Sequence, residues 1–166
     1  MNGFVLTNGA KERSDRLVRI GREKFMLIYG YGTDGENGYD WRKVYTHNPT
    51  VEELKVDIET LINSQTDESI LNGFIWQGKN IYLSTANQMN FNAAYLLSET
   101  TNGSNLPVTF KVGEQEGKPV YHTFETSSEL ALFYNSLVEH INSCVKKGWG
   151  EKDSVDYESI INSIKK

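Results

Sequence analysis

The sequence predicts an α+β protein: small antiparallel β-hairpins packed with three main α-helices, preceded by an N-terminal β-hairpin segment. Three observations lead there. Aromatic and aliphatic runs flank short polar stretches rich in Gly, Asn and Asp. Longer stretches repeat apolar residues at helical spacing. Ser or Thr followed three residues later by Glu or Gln opens each of those longer stretches.

The N-terminal segment is read first. "KFMLIYGYGTDGENGYDWRKVYT" holds two such runs, Lys24 to Tyr31 and Tyr39 to Thr46, which predict a long-looped hairpin, while about the first ten residues read as a tail or arm. At Pro49 the period lengthens. Val51, Leu54, Ile58, Leu61 and Ile62 recur at helical spacing, and Thr50 with Glu53 forms a capping box, so a helix is predicted over residues 50–64. This change of pattern divides the chain into residues 1–46, an arm and hairpin that is a candidate attachment segment, and residues 47–166, the main domain.

In the main domain "FIW" and "IYL" predict two strands turned by Gly78, apolar on both faces and therefore at least partly covered on both. Thr85 with Gln88 predicts a helix start, with the helix running to Glu99. "LPVTFKV" and "KPVYHTF" form a second hairpin, with Pro107 and Pro119 at strand starts. Thr126 with Glu129 opens the strongest helix, to Lys147, which lines up Leu130, Phe133, Leu137 and Ile141. Gly148 suits the left-handed position that ends it, with Trp149 folding back over the turn of Cys144. A short final helix carries Tyr157, Ile160, Ile161 and Ile164 in a stripe.

Composition narrows the function classes. The 166 residues can bury roughly 70% of the surface that the unfolded chain exposes, enough for a core without staples. A single cysteine rules out an internal disulfide, and three scattered histidines argue against a structural zinc. A net charge of −5 is a poor match to phosphate backbones, so no nucleic-acid partner is expected. No apolar stretch suits a signal peptide or a membrane span, and the chain reads as a soluble, cytoplasmically made product.

Candidate chemistry is sparse. His140 and Cys144, four apart on a helix, could pair a base with a nucleophile. Cys144 nevertheless falls on the apolar stripe and reads as a buried cysteine beside a boundary histidine. "TDGENGYD" offers Asp34, Glu36, Asn37 and Asp40 as oxygen ligands without the regular calcium-loop spacing, so it reads as a turn. "YGYG" has no lysine after it to hold phosphate. No enzyme, cofactor or metal is therefore expected. What the chain has in excess is aromatic and amide side chains, nine Tyr and three Trp with Asn87, Asn90 and Asn92 close together, a composition suited to core filling or to protein contact.

From about Asn48 to Tyr157 the order of "NPTVEEL", "ILNGFIWQGKNIYLSTANQMNF", "LPVTFKV", "YHTFETSSELALFY" and "VKKGWGEKDSVDY" resembles an uncharacterised family of bacteriophage and prophage proteins. Its members occur among tail, tail-fibre and other virion-associated genes, many in phages of gut Bacteroidetes. The residues carrying the resemblance are Gly73, Phe74, Trp76 and Gly78; Ser84, Asn87 and Gln88; Thr126, Glu129, Leu130 and His140; and Trp149. The resemblance implies a virion structural or adaptor protein, associated with tail or tail fibre and acting by protein-protein contact. Its partners would be other phage structural proteins, with a homo-oligomer in the particle, and its location the virion after synthesis in the bacterial host cytoplasm. The alternative is a tail-fibre assembly chaperone that leaves before the particle matures. Residues 1–47 fall outside the resemblance, so Phe4, Tyr29, Tyr31, Tyr39 and Trp41 are the candidate partner contacts.

Overall fold

A computed structural model describes residues 3–165 and is of the α+β class expected. In chain order the elements are β1 (Val5–Asn8), β2 (Arg16–Arg19), β3 (Phe25–Asp34), β4 (Asn37–Tyr45), α1 (Val51–Asn72), β5 (Phe74–Trp76), β6 (Lys79–Ile81), α2 (Thr85–Thr100), β7 (Val108–Gln115), β8 (Lys118–Phe124), α3 (Ser127–Asp153) and α4 (Tyr157–Asn162). Two compact units form. The first takes the chain up to Ser64 and again from Gly150, and the second is the continuous segment Gln65–Trp149.

The first unit is an antiparallel sheet in the order β1-β4-β3-β2, with one face on helices. Leu17, Phe25, Leu27, Tyr29 and Tyr45 from the sheet meet Leu54, Ile58, Leu61 and Ile62 of α1 and Ile160 of α4. The loop between β3 and β4 is a tight two-residue turn, with Asp34 paired to Asn37 and Gly35 at φ 59°, where glycine is favoured. Gly30, at φ 64°, is the extra residue of a bulge between Tyr29 and Tyr31, and its N–H donates to Asp15 Oδ1 at 2.9 Å. At the β2 edge, the free Leu17 N–H donates to Ser163 Oγ at 2.9 Å, so the α4 end shields a strand edge that would otherwise stay open.

The second unit packs two hairpins against α2 and α3. β5 and β6 turn through Gln77 and Gly78, and β7 and β8 through Glu116 and Gly117, all four at positive φ, as the tightest hairpin turns require. The interior is built of rings: Phe133 lies 5.8 Å from Phe74, 5.1 Å from Trp76, 5.0 Å from Phe91 and 5.1 Å from Phe124, centroid to centroid. Leu130 and Leu137 extend the same face of α3, in line with the stripe in its sequence.

Several expectations are corrected. The opening residues are not a tail: Val5–Asn8 pairs with β4, and beyond them Arg16–Arg19 adds a strand beside β3, while Met1 and Asn2 lie outside the described residues. The N-terminal hairpin shares its core with α1, so Pro49 marks a change of secondary structure and the compact units divide elsewhere. Helix α1 continues past Ser64 to Asn72, because residues 65–72 contain neither Gly nor Pro and only the apolar stripe changes. Helix α3 runs through Gly148 to Asp153. There Gly148 serves closeness, since a Cβ on it would lie 2.4 Å from Thr66 Oγ1, and Trp149 is 63% exposed instead of folding back. The N-cap of α2 is Ser84 in place of Thr85, its Oγ accepting from the Asn87 N–H at 3.2 Å. Outward Ile75 and Tyr82 leave one face of the β5–β6 hairpin open.

Candidate functional site

Within the second unit, the end of α1, strands β6 and β7 and the first turns of α2 surround an open groove of about 620 Å³. Four of its lining residues carry carboxamides: Asn72 from α1, Asn80 from β6, and Asn87 and Asn90 from α2. Tyr82, Thr109, Lys111, Gly113 and Glu114 add polar groups and backbone, and Phe91 and Phe110 form its apolar part, ring centroids 4.9 Å apart. The walls follow from local sequence. Ser84 caps α2, so Asn87 and Asn90 fall on its first turns and share a face. Gly113 lets the backbone of β7 come close to β6, since a Cβ there would lie 3.1 Å from the Asn80 carbonyl oxygen.

The carboxamides are oriented. Asn72 Nδ2 donates to Glu68 Oε1 at 2.7 Å, Asn80 Nδ2 to the Asn72 carbonyl at 2.7 Å, and Asn87 Nδ2 to the Tyr82 carbonyl at 2.8 Å. Each amide thus anchors one N–H on the protein and keeps its Oδ1 acceptor and its second N–H without a protein partner among the described residues. Fixed charge is cancelled: Lys111 Nζ donates to Glu114 Oε1 at 2.5 Å, and the lysine holds the Glu114 carboxyl below its ordinary range. The groove can therefore both accept hydrogen bonds from a neutral ligand and donate them to it.

The other candidate chemistry has structural partners. His140 Nε2 lies 3.1 Å from the Ser69 carbonyl oxygen and 3.7 Å from Cys144 Sγ, and its ring packs 5.5 Å from Phe74. Cys144 is half-buried, so the expectation of a fully buried thiol is corrected. His122 Nε2 sits 2.7 Å from Glu129 Oε1, with its ring 4.8 Å from Trp76, on the outer side of the aromatic core. Asp34 and Asn37 pair across a turn, and Asp40 accepts from Arg42 Nε at 2.7 Å and Nη2 at 3.2 Å. No group of His, Cys, Asp and Glu suited to a metal ion occurs among the described residues.

The residues of the phage-like signature hold the second unit in shape. Gly73 ends α1, and a Cβ on it would meet the Ser69 carbonyl oxygen at 2.4 Å. Phe74 is buried, Trp76 packs on Phe124 and Phe133, and Gly78 turns the hairpin. Gln88 Nε2 donates to the Leu83 carbonyl at 2.7 Å, and the Glu129 N–H donates to Thr126 Oγ1 at 3.2 Å. Only Asn87 of the signature reaches the groove. Of the candidate contacts, Phe4 is 6% and Tyr29 1% exposed, so both belong to the core and are withdrawn as contacts. Tyr31, Tyr39 and Trp41 are half-buried, and Tyr39 lies over its partner Gly32, where a Cβ would stand 2.2 Å from the ring. Sequence reasoning noted Asn87 and Asn90 but missed Asn72, Asn80 and Thr109. These come from three other elements, and no spacing in the sequence joins them.

No family model matches the chain, and no curated protein or solved structure matches it either.

Proposed function

We propose that the protein is a bacteriophage virion structural or adaptor protein, associated with tail or tail fibre, that works by protein-protein contact. The observation that carries the reading is the outer face of the first sheet. Val5 is 64% and Val44 54% exposed there, and Met26 and Val18 lie beside Val44 across the strands. In the next row Arg16 and Arg42 stand on either side of Ile28, with Val5 beside Arg42. Apolar side chains interleaved with arginine are a composition that protein contacts favour. The motif order, which resembles that of virion-associated phage proteins, supports the same reading.

Attachment then belongs to this face and not to a detachable arm, because the same strands carry the core on their other side. Val44→Glu tests it without cutting the chain. The variant is expected to melt as the parent does and yet to be missing from particles when it is supplied to a phage lacking the native protein. Mass spectrometry of purified particles reads the result. Parent protein abundant in infected cells and missing from particles would indicate an assembly chaperone instead.

A further inference from the structure

We propose that the amide-lined groove of the second unit is a binding site for a neutral carbohydrate chain. The inference does not depend on virion assembly, because the groove lies wholly within residues 65–149. Its volume of about 620 Å³ is within the range of small-ligand sites, roughly 300–1,000 Å³.

The chemistry of the lining selects the ligand class. Asn72, Asn80 and Asn87 each anchor one N–H of their Nδ2 on the protein, which orients the amide and leaves the Oδ1 acceptor and the second N–H of each without a protein partner among the described residues. A ligand that meets such amides must both donate and accept, and hydroxyl groups do both without charge. Asn90 is exposed and its carboxamide makes no hydrogen bond among the described residues, so it can still turn to donate or accept. That freedom suits hydroxyls, which do both.

Charge points the same way. Lys111 and Glu114 are the charged residues of the lining and they neutralise each other at 2.5 Å, so the groove offers no unpaired cation to a phosphate or carboxylate. Drug-like ligands favour mainly apolar walls, and here polar and apolar wall surface are about equal, amides and hydroxyls standing beside the Phe91 and Phe110 rings. The apolar contribution comes from rings. Tyr82 is 54% exposed, and Asn87 fixes its backbone, so its ring face is available to the C–H face of a sugar.

The test is a titration of the full-length protein with maltohexaose, cellohexaose and chitohexaose, followed through the side-chain amide signals of asparagine in NMR spectra. At least one oligosaccharide is expected to shift the signals of Asn80, Asn87 and Asn90 and leave those of Asn63 and Asn142 in place. Tyr82→Ala, at an exposed site, is expected to weaken binding about tenfold, the scale of one aromatic contact. Asn90→Ala is expected to weaken it several-fold, and neither variant to change the melting temperature. Affinity is expected to be the same at low and high salt, as it must be for a neutral ligand. Three outcomes overturn the proposal: no shift at the groove with any of the three sugars at about 10 mM, the scale of very weak sites; affinity that falls with salt; or a Gly-Ser peptide that shifts the same signals as strongly, which would make the groove a reader of main chain.

Discussion

In the first unit Glu151 Oε1 accepts from Tyr29 at 2.8 Å and from Arg13 at 2.5 Å, residues 122 and 138 positions away in sequence. Asp57 does the same nearer by, accepting from Tyr45 at 2.7 Å and pairing with Lys43 at 2.6 Å. The second unit, one continuous stretch of chain, has Phe133 among the rings of Phe74, Trp76, Phe91 and Phe124 where the first has ion pairs at the rim of a sheet. The difference follows from chain connectivity. A unit assembled from two distant segments gains from directional, charge-assisted contacts that fix which segment lies where. A continuous unit already has its segments close, and nondirectional ring packing is sufficient to fill it. Each unit should therefore fail in its own way.

Removal of residues 1–46 is expected to have the largest effect and to fall on the first unit. Leu54, Ile58, Leu61, Ile62 and Ile160 would lose the sheet that covers them, and each buried aliphatic side chain is worth about 1.5–3 kcal/mol. Hydrogen exchange on a fragment starting at His47 should show unprotected amides over residues 51–64 and 157–162. Strong protection there would mean that the helices hold without the sheet, and the N-terminal segment could then be treated as an appendage after all.

Phe124→Ala should have the next largest effect, about 3–5 kcal/mol, the usual cost of deleting a buried ring. Phe124 touches Trp76, Phe110, His122 and Phe133, so the cavity would open at the centre of the cluster. Exchange rates should rise first over residues 74–81 and 108–124. If loss of protection began instead in strands β1 to β4, the contrast between the units would collapse.

The contrast also explains what was legible in the sequence. Local signals survived folding: Thr50 N–H donates to Glu53 Oε2 at 2.8 Å while Glu53 N–H donates to Thr50 Oγ1 at 3.2 Å, the reciprocal box its spacing implied. The hairpin turn at Gly78 and the stripe of α3 were legible for the same reason, since each depends on neighbours within a few residues. What was missed depends on long-range packing. Gly148 carried a helix-stop signal that the approach of Thr66 overrode, and "RLVRI" was too short to be read as β2 until β3 lay beside it. The groove falls in the same category, because its asparagines come from three elements and meet only in the folded chain.

The smallest expected effect concerns pH, and it falls on the charged rim of the first unit. Burial, and then the hydrogen bonds to Glu151 and Asp57, push the Tyr29 and Tyr45 phenols well above the ordinary tyrosine value. A group with a raised pKa in the folded state holds its proton after the unfolded chain has lost it. Its contribution is complete below about pH 10, the unfolded tyrosine value, and is lost as pH rises beyond it. The midpoint of thermal unfolding should therefore be level from neutral pH to about pH 9 and fall above about pH 10. Tyr29→Phe should cost about 1.5 kcal/mol at neutral pH, the lower end for a hydrogen bond to a charged acceptor, because Arg13 still donates to the same Glu151 oxygen. The same substitution should reduce the alkaline fall, since one of the two raised phenols is gone, and Tyr29→Phe with Tyr45→Phe should remove most of it. A double variant whose stability still drops as steeply above that pH would place the alkaline sensitivity elsewhere, and the rim of the first unit would then owe less to its phenols than to its packing.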